Sequence, residues 1–196
     1  MKKIFLASGS PRRRELLRNI GLKFEVVKSN FDENTVDFER TPQELAESLA
    51  YGKAKNVKSL VDQGIIIGAD TLVTLDNKVY GKPRDSKEAF DMLKSLSDKT
   101  HEVITGVVLI DTVTNEVLVE HEITKVTFNR LTNEEITAYI KSNDYQGKAG
   151  AYGIQNRGAV LIKKVDGCYF NVVGLPIGRV CRMLKDMGEV LYDHWG

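Results

Sequence analysis

The feature that most constrains the fold is an apolar run followed directly by a polar turn and a helical pattern. Ile4-Phe5-Leu6-Ala7 predicts a short buried strand. Ser10 is a favourable N-cap, and Pro11 suits the first helical position because proline lacks the N–H that would be unpaired there. The apolar spacing that follows predicts a helix, which Gly21 ends. These residues therefore predict a strand-to-helix turn.

The turn between these two elements has the composition of an anion site. It reads Ser8-Gly9-Ser10-Pro11-Arg12-Arg13-Arg14, with three arginines at a helix N-terminus. Free N–H groups at that end attract anions, whereas positive side chains oppose the helix dipole. Three arginines there suggest a bound polyanion, most simply a phosphate chain held by guanidinium groups. The alternative is a solvated basic first turn.

Length, charge and cysteine content exclude several classes of protein. The 196 residues form one large domain or two small lobes, enough for a substantial core. A net charge of +1 gives no broad field for nucleic acid or membrane, so an anion site must be a local cluster. We find no apolar run long enough to span a bilayer and no secretory signal. Cys168 and Cys181 lack CxxC spacing, and a reducing cytoplasm is the default location.

A second helix follows an acidic loop. The loop, residues 30–34, contains the adjacent carboxylates Asp32 and Glu33. Thr41-Pro42-Gln43-Glu44 forms a capping box, and the apolar pattern predicts a helix that continues to Gly64. Lys53 lies on this helix beside the apolar stripe. Both the lysine and the acidic pair are candidates for a site, although most such residues are simply solvated.

The next strand introduces the second candidate carboxylate. Ile65-Ile66-Ile67-Gly68 predicts a short strand covered on both faces, with Asp70 and Thr71 just beyond its end. Ligands gather at strand ends in α/β sheets, so Asp70 is a candidate catalytic or metal-binding residue. Residues 72–80 predict a hairpin, and Gly81 and Pro83 hold Lys82 in a rigid turn.

The remaining chain predicts a mixture of helices and strands around a glycine-rich stretch. Helices are predicted after Asp85 and Thr132 and from residue 174 onward, and long strands over residues 103–110 and 117–128. The glycine-rich stretch, residues 145–158, is predicted to form a pocket wall, with a surface loop as the alternative. Residues 159–162 and 169–173 are predicted as closing strands.

The charged residues indicate phosphoryl chemistry. The chain has no GxxxxGK[ST] loop, no GxGxxG after the first strand and no GxSxG or CxxC motif. It does carry candidate phosphate ligands, namely Arg12, Arg13, Lys53 and Lys82, together with the isolated carboxylates Glu33 and Asp70. Carboxylates can hold Mg²⁺ or Mn²⁺, and an aspartate can orient or deprotonate water. This combination favours a nucleotide phosphohydrolase.

Seven motifs sharpen this interpretation. They are LASGSPRR from Leu6, AYGKA from Ala50, GADT from Gly68, GKP from Gly81, THEVITGV from Thr100, GKAGAYGIQ from Gly147 and FNVVGLP from Phe170. In this order the chain resembles the Maf family of nucleoside triphosphate pyrophosphatases over almost its whole length. Two positions depart from the family pattern: Asn156 stands where glycine is usual, and Cys168 where an acidic residue is often seen. We expect no functional effect of Cys168.

The resemblance implies a fold and a reaction. The expected fold is α/β, with an elongated mixed central sheet flanked by helices in two lobes around one cleft, similar to the inosine triphosphate pyrophosphatases. Residues 1–196 would form a single Maf-like domain. The expected reaction is hydrolysis of a nucleoside triphosphate at the α-phosphorus to the monophosphate and pyrophosphate, with divalent Mg²⁺ or Mn²⁺. Possible associated roles are removal of modified pyrimidine nucleotides and a link to septum formation.

The resemblance also implies roles for individual residues. Asp70 would be the proton acceptor, and it would serve the metal together with Glu33. Arg12, Thr71 and Gln155 would determine specificity, and the last two resemble the subgroup acting on dTTP and UTP. The triphosphate would be held by Ser8, Arg12, Arg13, Lys53 and Lys82.

Two other functions stay open at this point. One is a non-catalytic nucleotide-binding regulator of septum formation, and the other is a 7-methyl-GTP pyrophosphatase. The complete charged set argues against the first, and Thr71 and Gln155 argue against the second. We expect a nucleoside triphosphate as the partner, and neither a nucleic acid nor a membrane. A homodimer is compatible with the family resemblance.

Overall fold

The computed structural model describes residues 1–36 and 40–195 and has the predicted α/β class. The strands are β1 (Lys3–Leu6), β2 (Glu25–Val26), β3 (Gly64–Leu75), β4 (Lys78–Tyr80), β5 (Thr100–Asp111), β6 (Val117–Phe128) and β7 (Ile162–Asp166). The α-helices are α1 (Pro11–Asn19), α2 (Pro42–Lys58), α3 (Ser86–Leu96), α4 (Asn133–Lys141), α5 (Tyr169–Val173) and α6 (Ile177–Asp186). Short 3₁₀ helices cover Glu33–Thr35, Ala149–Ala151, Asn156–Leu161 and Leu191–Trp195.

The strands form one mixed sheet of seven strands. Their order is β2-β1-β3-β5-β6-β7, and β4 pairs with β3. Strand β1 is parallel to both β2 and β3, whereas the β3–β4 and β6–β7 pairs are antiparallel. The sheet is therefore mixed, as expected. Among the described residues, no helix is both long and apolar enough to cross a bilayer.

The chain divides into two compact units. The first unit consists of three segments, Met1–Asp70, Thr105–Glu122 and Gly174–Gly196. The second consists of Thr71–Ile104 and Ile123–Val173. Strands β3, β5 and β6 each contribute residues to both units. Each unit is described by its own residues below.

The first unit is built on close contact between α2 and two strands. Gly68 of β3 has no side chain, and a Cβ atom there would lie 2.8 Å from the Ala54 Cβ. A Cβ at Gly106 of β5 would lie 2.6 Å from the backbone nitrogen of Glu47. Small residues on both sides thus allow helix α2 to lie directly on the sheet, and this closeness brings the polar side chains of α2 within reach of β3.

The second unit has its own apolar core, in which one histidine is enclosed. His101 is 1% exposed, and its Nε2 lies 2.7 Å from the Tyr152 Oη. The rings of Phe128 and Tyr152 pack edge-to-face against it, with centroids 4.9 and 5.4 Å away. Burial lowers the pKa of His101 to about 4, so the imidazole is neutral at pH 7.

Several local predictions are confirmed. The Ser10 side chain caps α1, and Gly21 follows that helix with φ +72°. The Thr41–Glu44 capping box is present at the start of α2. The predicted hairpin is the β3–β4 pair. In each case the local chemistry of the cap or turn determined the backbone.

Other local predictions are wrong. Asp70 and Thr71 lie inside β3 rather than beyond its end, because the strand continues through these polar residues. Helix α2 ends at Lys58, not at Gly64. Residues 159–162 were predicted as a strand but belong mostly to a 3₁₀ helix, with β7 starting at Ile162.

The predicted strand over residues 169–173 is helix α5 instead. Its Asn171 is fully buried and donates from Nδ2 to the Val103 carbonyl at 2.9 Å and to Thr124 Oγ1 at 3.0 Å. Hydrogen bonds within the fold here override the strand preference of the Tyr, Phe and Val side chains.

Candidate active site

The centre of the candidate site is an ammonium group held by two carboxylates. Lys53 Nζ on α2 lies 2.8 Å from Glu33 Oε1 and also forms an ion pair with Asp70 on β3. The Lys53 and Asp70 side chains are only 13% and 10% exposed, whereas that of Glu33 is 46% exposed. The structure therefore brings together three residues that sequence analysis selected separately.

The packing of α2 on β3 explains why these groups meet. Gly68 and Asp70 are two residues apart on β3, so they lie on the same face of the strand. Gly68 contacts the helix at Ala50 and Ala54, and Lys53 belongs to that part of the helix. A lysine there reaches the Asp70 carboxylate because the glycine allows the two backbones to approach closely.

Arg13 lies at the start of α1 and is turned inward. It is 9% exposed, and its Nε donates to the Gly174 carbonyl at 2.7 Å. Its Nη1 donates to Ser8 Oγ at 3.3 Å. Burial lowers the pKa of the Arg13 guanidinium, the charge of Asp70 opposes that shift, and the charge of Arg12 adds to it. Arg13 thus links the anion turn electrostatically to Asp70 and structurally to Gly174.

The other residues of the anion turn are less enclosed or have internal roles. Ser8 is buried, and its Oγ accepts a hydrogen bond from the Ser10 N–H at 3.2 Å. Arg12 is half-buried beside Arg13. The sequence predicted both arginines as phosphate ligands, and this stays a prediction. Arg13 makes hydrogen bonds within the protein, to Gly174 and Ser8.

Three predicted site residues belong to the second unit. Thr71 is half-buried in β3, Lys82 is exposed before α3, and Gln155 is half-buried just before a 3₁₀ helix. Their roles in specificity and phosphate binding stay predictions. The Gly81 carbonyl next to Lys82 accepts a hydrogen bond from the Gly150 N–H at 3.0 Å, so the Lys82 turn is tied to the glycine-rich stretch.

The glycine-rich stretch packs inside the second unit. Gly150 has φ +65°, and a Cβ there would lie 3.0 Å from the Val73 methyl groups. Ala151 and Tyr152 belong to the apolar core. A surface loop is therefore the wrong description of residues 150–152, while a pocket wall stays a prediction. Asn156 has φ +55°, a conformation that asparagine tolerates better than most residues, so it can replace the glycine usual in the family.

The two carboxylates suit a hard divalent cation. Glu33 and Asp70 direct oxygens at one point, which Lys53 Nζ marks. Among residues 1–36 and 40–195, no group of three or more His, Cys, Asp or Glu side chains could hold a metal. Mg²⁺ commonly binds one or two carboxylates and takes its other ligands from substrate phosphates and water. The donor set therefore fits a cation that shares its ligands with a nucleotide.

Comparison with known proteins identifies the family of this chain. The family model described as Maf-like protein matches residues 3–187. The chain belongs to the Maf family. The resemblance inferred from the sequence motifs is thereby confirmed for nearly the whole of this Maf-like chain.

Two curated relatives of the Maf-like chain carry the name dTTP/UTP pyrophosphatase. The one from Ruminiclostridium cellulolyticum is 48% identical over 189 residues, covering 96% of this chain and 98% of its own. The one from Carboxydothermus hydrogenoformans is 49% identical over 186 residues, covering 95% and 99%. Among solved structures, the Staphylococcus aureus Ham1 protein matches with a TM-score of 0.46 and 14% identity, over 65% of this chain and 72% of its own.

Sequence analysis missed several residues that shape the site of this Maf-like protein. Gly174 supplies the carbonyl that holds Arg13. Asn56 on α2 accepts a hydrogen bond from the Asn30 N–H in the loop. One helical turn earlier, Gly52 makes room for the Phe31 ring. The available signal was Gly52 itself, since a glycine in the middle of a helix is unfavourable unless something packs closely on it.

Proposed function

We propose that this protein hydrolyses dTTP and UTP at the α-phosphorus, releasing the nucleoside monophosphate and pyrophosphate. The observation that carries the proposal is the Lys53 ammonium held between the Glu33 and Asp70 carboxylates. The names of the curated relatives support the pyrimidine substrates.

Each residue of the cluster would have a distinct role. Lys53 would leave its carboxylates and pair with phosphate oxygens, which carry more negative charge than a single carboxylate. Asp70 would then orient the attacking water and accept its proton. Arg12 and Arg13 would bind the triphosphate with Ser8 and Lys82, and Arg13 would also keep the anion turn in position through Gly174. Pyrophosphate would depart as the intact leaving group.

Glu33 and Asp70 would hold a divalent cation, Mg²⁺ or Mn²⁺. Such a cation neutralises the charge that develops on the phosphate oxygens. Its two protein ligands would leave the remaining positions for the triphosphate and water. The protein would therefore use a metal that binds together with its substrate.

Recognition of the base would involve Gln155, Thr71 and Arg12. Uracil and thymine present O4 as an acceptor and N3–H as a donor on adjacent atoms. The amide of Gln155 can donate to O4 and accept from N3–H at the same time. Cytosine presents the reverse pattern, so an amide fixed in one orientation would discriminate between the two bases.

The proposal is tested with a panel of nucleoside triphosphates in Mg²⁺, Mn²⁺ or chelator, scoring pyrophosphate against orthophosphate. We expect UTP and dTTP to yield pyrophosphate, and chelator to abolish turnover. Asp70→Asn keeps the shape but removes the base, and we expect kcat to fall by roughly 10²–10⁴. Asp91→Asn, at an exposed position on α3, is the matched control. Near-normal turnover of Asp70→Asn would contradict the role given to Asp70.

We also infer a cytoplasmic location and a homodimer. A reducing compartment would suit the free Cys168 and Cys181, and a nucleotide substrate would be available there. The homodimer is what the family resemblance implies. Light scattering coupled to size-exclusion chromatography tests it, and a mass of one chain would contradict it.

A further inference from the structure

The loop that carries Glu33 is fastened to α2 by an aromatic ring seated on a glycine. A Cβ atom at Gly52 would lie 2.7 Å from Phe31 Cε2, with the ring's Cζ and Cε1 atoms closer still. Real Cβ atoms essentially never approach that closely, so the ring occupies the space that a side chain at residue 52 would fill. Phe31 lies two residues before Glu33, and Gly52 one residue before Lys53.

A polar contact fastens the same loop one helical turn further along. Asn56 Oδ1 accepts hydrogen bonds from the Asn30 N–H at 2.9 Å and from Ser29 Oγ at 3.2 Å. Ser29 Oγ in turn accepts from the Phe31 N–H at 3.1 Å. Residues 52 and 56 are four apart, so both contacts lie on one face of α2. The loop is therefore held at two points, on either side of Lys53 in the helix sequence.

We infer that Phe31, Gly52 and Asn56 form a loop clamp that positions Glu33 for binding of the metal–nucleotide complex. The inference rests on the proposed function, because it takes Glu33 as a ligand of the cation. Phe31, Gly52 and Asn56 are positioning residues, since their contacts are to the loop and helix.

Two observations favour this role over simple packing. The Glu33 side chain is 46% exposed and lies in a 3₁₀ turn of three residues, so burial does not fix its position. Gly52 lies ten residues after the start of α2, where glycine costs roughly 0.5–1 kcal/mol relative to alanine. The glycine leaves room for the Phe31 ring directly beside Lys53, the residue that pairs with Glu33.

A double-mutant cycle tests the clamp. The variants are Phe31→Ala, Glu33→Gln and the double variant, with Tyr192→Ala as a control at an exposed aromatic position. Two quantities are measured: kcat/KM for UTP, and the calorimetric affinity for Mn²⁺ with α,β-methylene-UTP, which cannot be cleaved at the α–β bond. Melting temperatures check that each variant is folded.

We expect Phe31→Ala to lower kcat/KM by about tenfold to a hundredfold, the range that a small misplacement can cost. The affinity for the Mn²⁺ complex should fall by about tenfold. In the Glu33→Gln background, removing the ring should change either quantity by less than about twofold, because both changes act on one group. Additive losses would overturn the inference, as would a Phe31→Ala variant with unaltered affinity.

A second variant approaches the same contact from the helix. Gly52→Ala displaces the ring, so it should reproduce the loss seen in Phe31→Ala, and the two changes together should cost no more than either alone. The double variant should also melt higher than Phe31→Ala, since alanine favours the helix. Unchanged kcat/KM in Gly52→Ala would overturn the clamp.

These measurements distinguish failure of the proposed function from failure of the clamp. If Glu33→Gln itself leaves kcat/KM and the Mn²⁺ complex affinity unchanged, the role of Glu33 in the proposed function fails. If Glu33→Gln is impaired while Phe31→Ala matches the parent protein, only the clamp fails.

Discussion

At the scale of single residues, Lys53 has the most informative surroundings, because its ammonium occupies the point at which two carboxylates meet. We predict that Lys53→Met binds Mn²⁺ at least about tenfold more tightly in the absence of nucleotide, since a competing charge-assisted pair is removed. Turnover should fall, because the phosphates lose a partner. Manganese electron paramagnetic resonance on the free protein measures the affinity.

Lys55→Met is the matched control for this prediction. Lys55 is exposed on the same helix, and its ammonium lies over the Tyr51 ring. Its replacement should leave Mn²⁺ binding unchanged. Equal or weaker Mn²⁺ binding by Lys53→Met would mean that the ammonium does not compete with the cation.

Gln155 carries the second prediction at this scale. Gln155→Glu keeps the size of the side chain but places an acceptor against O4 of the base, an arrangement that costs roughly 1–3 kcal/mol when buried. We expect kcat/KM for UTP and dTTP to fall at least about tenfold, while CTP loses less or gains. Kinetics with the three nucleotides measure the ratio, and Gln146→Glu at an exposed position is the control. A constant UTP-to-CTP ratio would remove Gln155 from base recognition.

At the scale of elements, the contact between α2 and β5 depends on Gly106. A methyl group there would overlap the Ala46 carbonyl group and the Glu47 backbone nitrogen, which are backbone atoms that cannot turn aside. We predict that Gly106→Ala lowers the free energy of unfolding by about 1–3 kcal/mol, as overpacking commonly does. Urea denaturation measures this change.

Gly178→Ala provides the comparison for that measurement. Gly178 lies in α6, where a Cβ would meet only the Arg182 side chain at 3.7 Å. The same chemical change should here raise the free energy of unfolding by up to about 1 kcal/mol, because alanine favours helices. If both substitutions stabilise the protein, the close contact of α2 with β5 is not a constraint.

Elements whose ends are determined by local chemistry could be predicted from the sequence. Ser10 with Pro11 and Thr41 with Glu44 start helices through hydrogen bonds between near neighbours, and both starts are confirmed. The strand was predicted to end before Asp70 because a polar residue interrupts an apolar strand pattern. Inside β3 the Asp70 carboxylate pairs with Lys53, seventeen positions earlier in the chain, and no local pattern indicates that partner.

The candidate site shows the same division between local and distant information. The identities of Lys53, Glu33 and Asp70 could be selected by their chemistry, but their meeting depends on α2 lying against Gly68. The inward turn of Arg13 depends on a carbonyl at Gly174, which no local pattern indicates. Cys168 was expected to have no functional effect, and this stays a prediction. Its backbone N–H donates to Thr124 Oγ1, and its carbonyl accepts from the same hydroxyl.

At the scale of the whole molecule, the buried His101 makes stability depend on pH. Its pKa is about 4 in the folded state and near 6.5 when unfolded, so the unfolded chain binds the extra proton between these values. Above about pH 6.5 His101 does not reduce the free energy of unfolding. As the pH falls toward 4, the free energy of unfolding decreases because only the unfolded chain binds the proton. The difference amounts to about 3 kcal/mol at most.

His101→Gln tests this dependence, because glutamine can still hydrogen-bond Tyr152 but does not titrate. Urea denaturation between pH 4 and 7 should show a flatter profile for the variant than for the parent protein. Identical slopes for the parent protein and the variant would exclude His101 as the source.

The division of the first unit into three segments has a consequence for synthesis on the ribosome. The second unit is complete in sequence at Val173, whereas the first still lacks its final segment. That segment begins with Gly174, whose carbonyl holds Arg13. A nascent or prematurely terminated chain that stops before Gly174 therefore has every charged residue of the anion turn but lacks the carbonyl that accepts from Arg13 Nε. We therefore expect the anion turn to reach its final arrangement only after translation has passed Gly174.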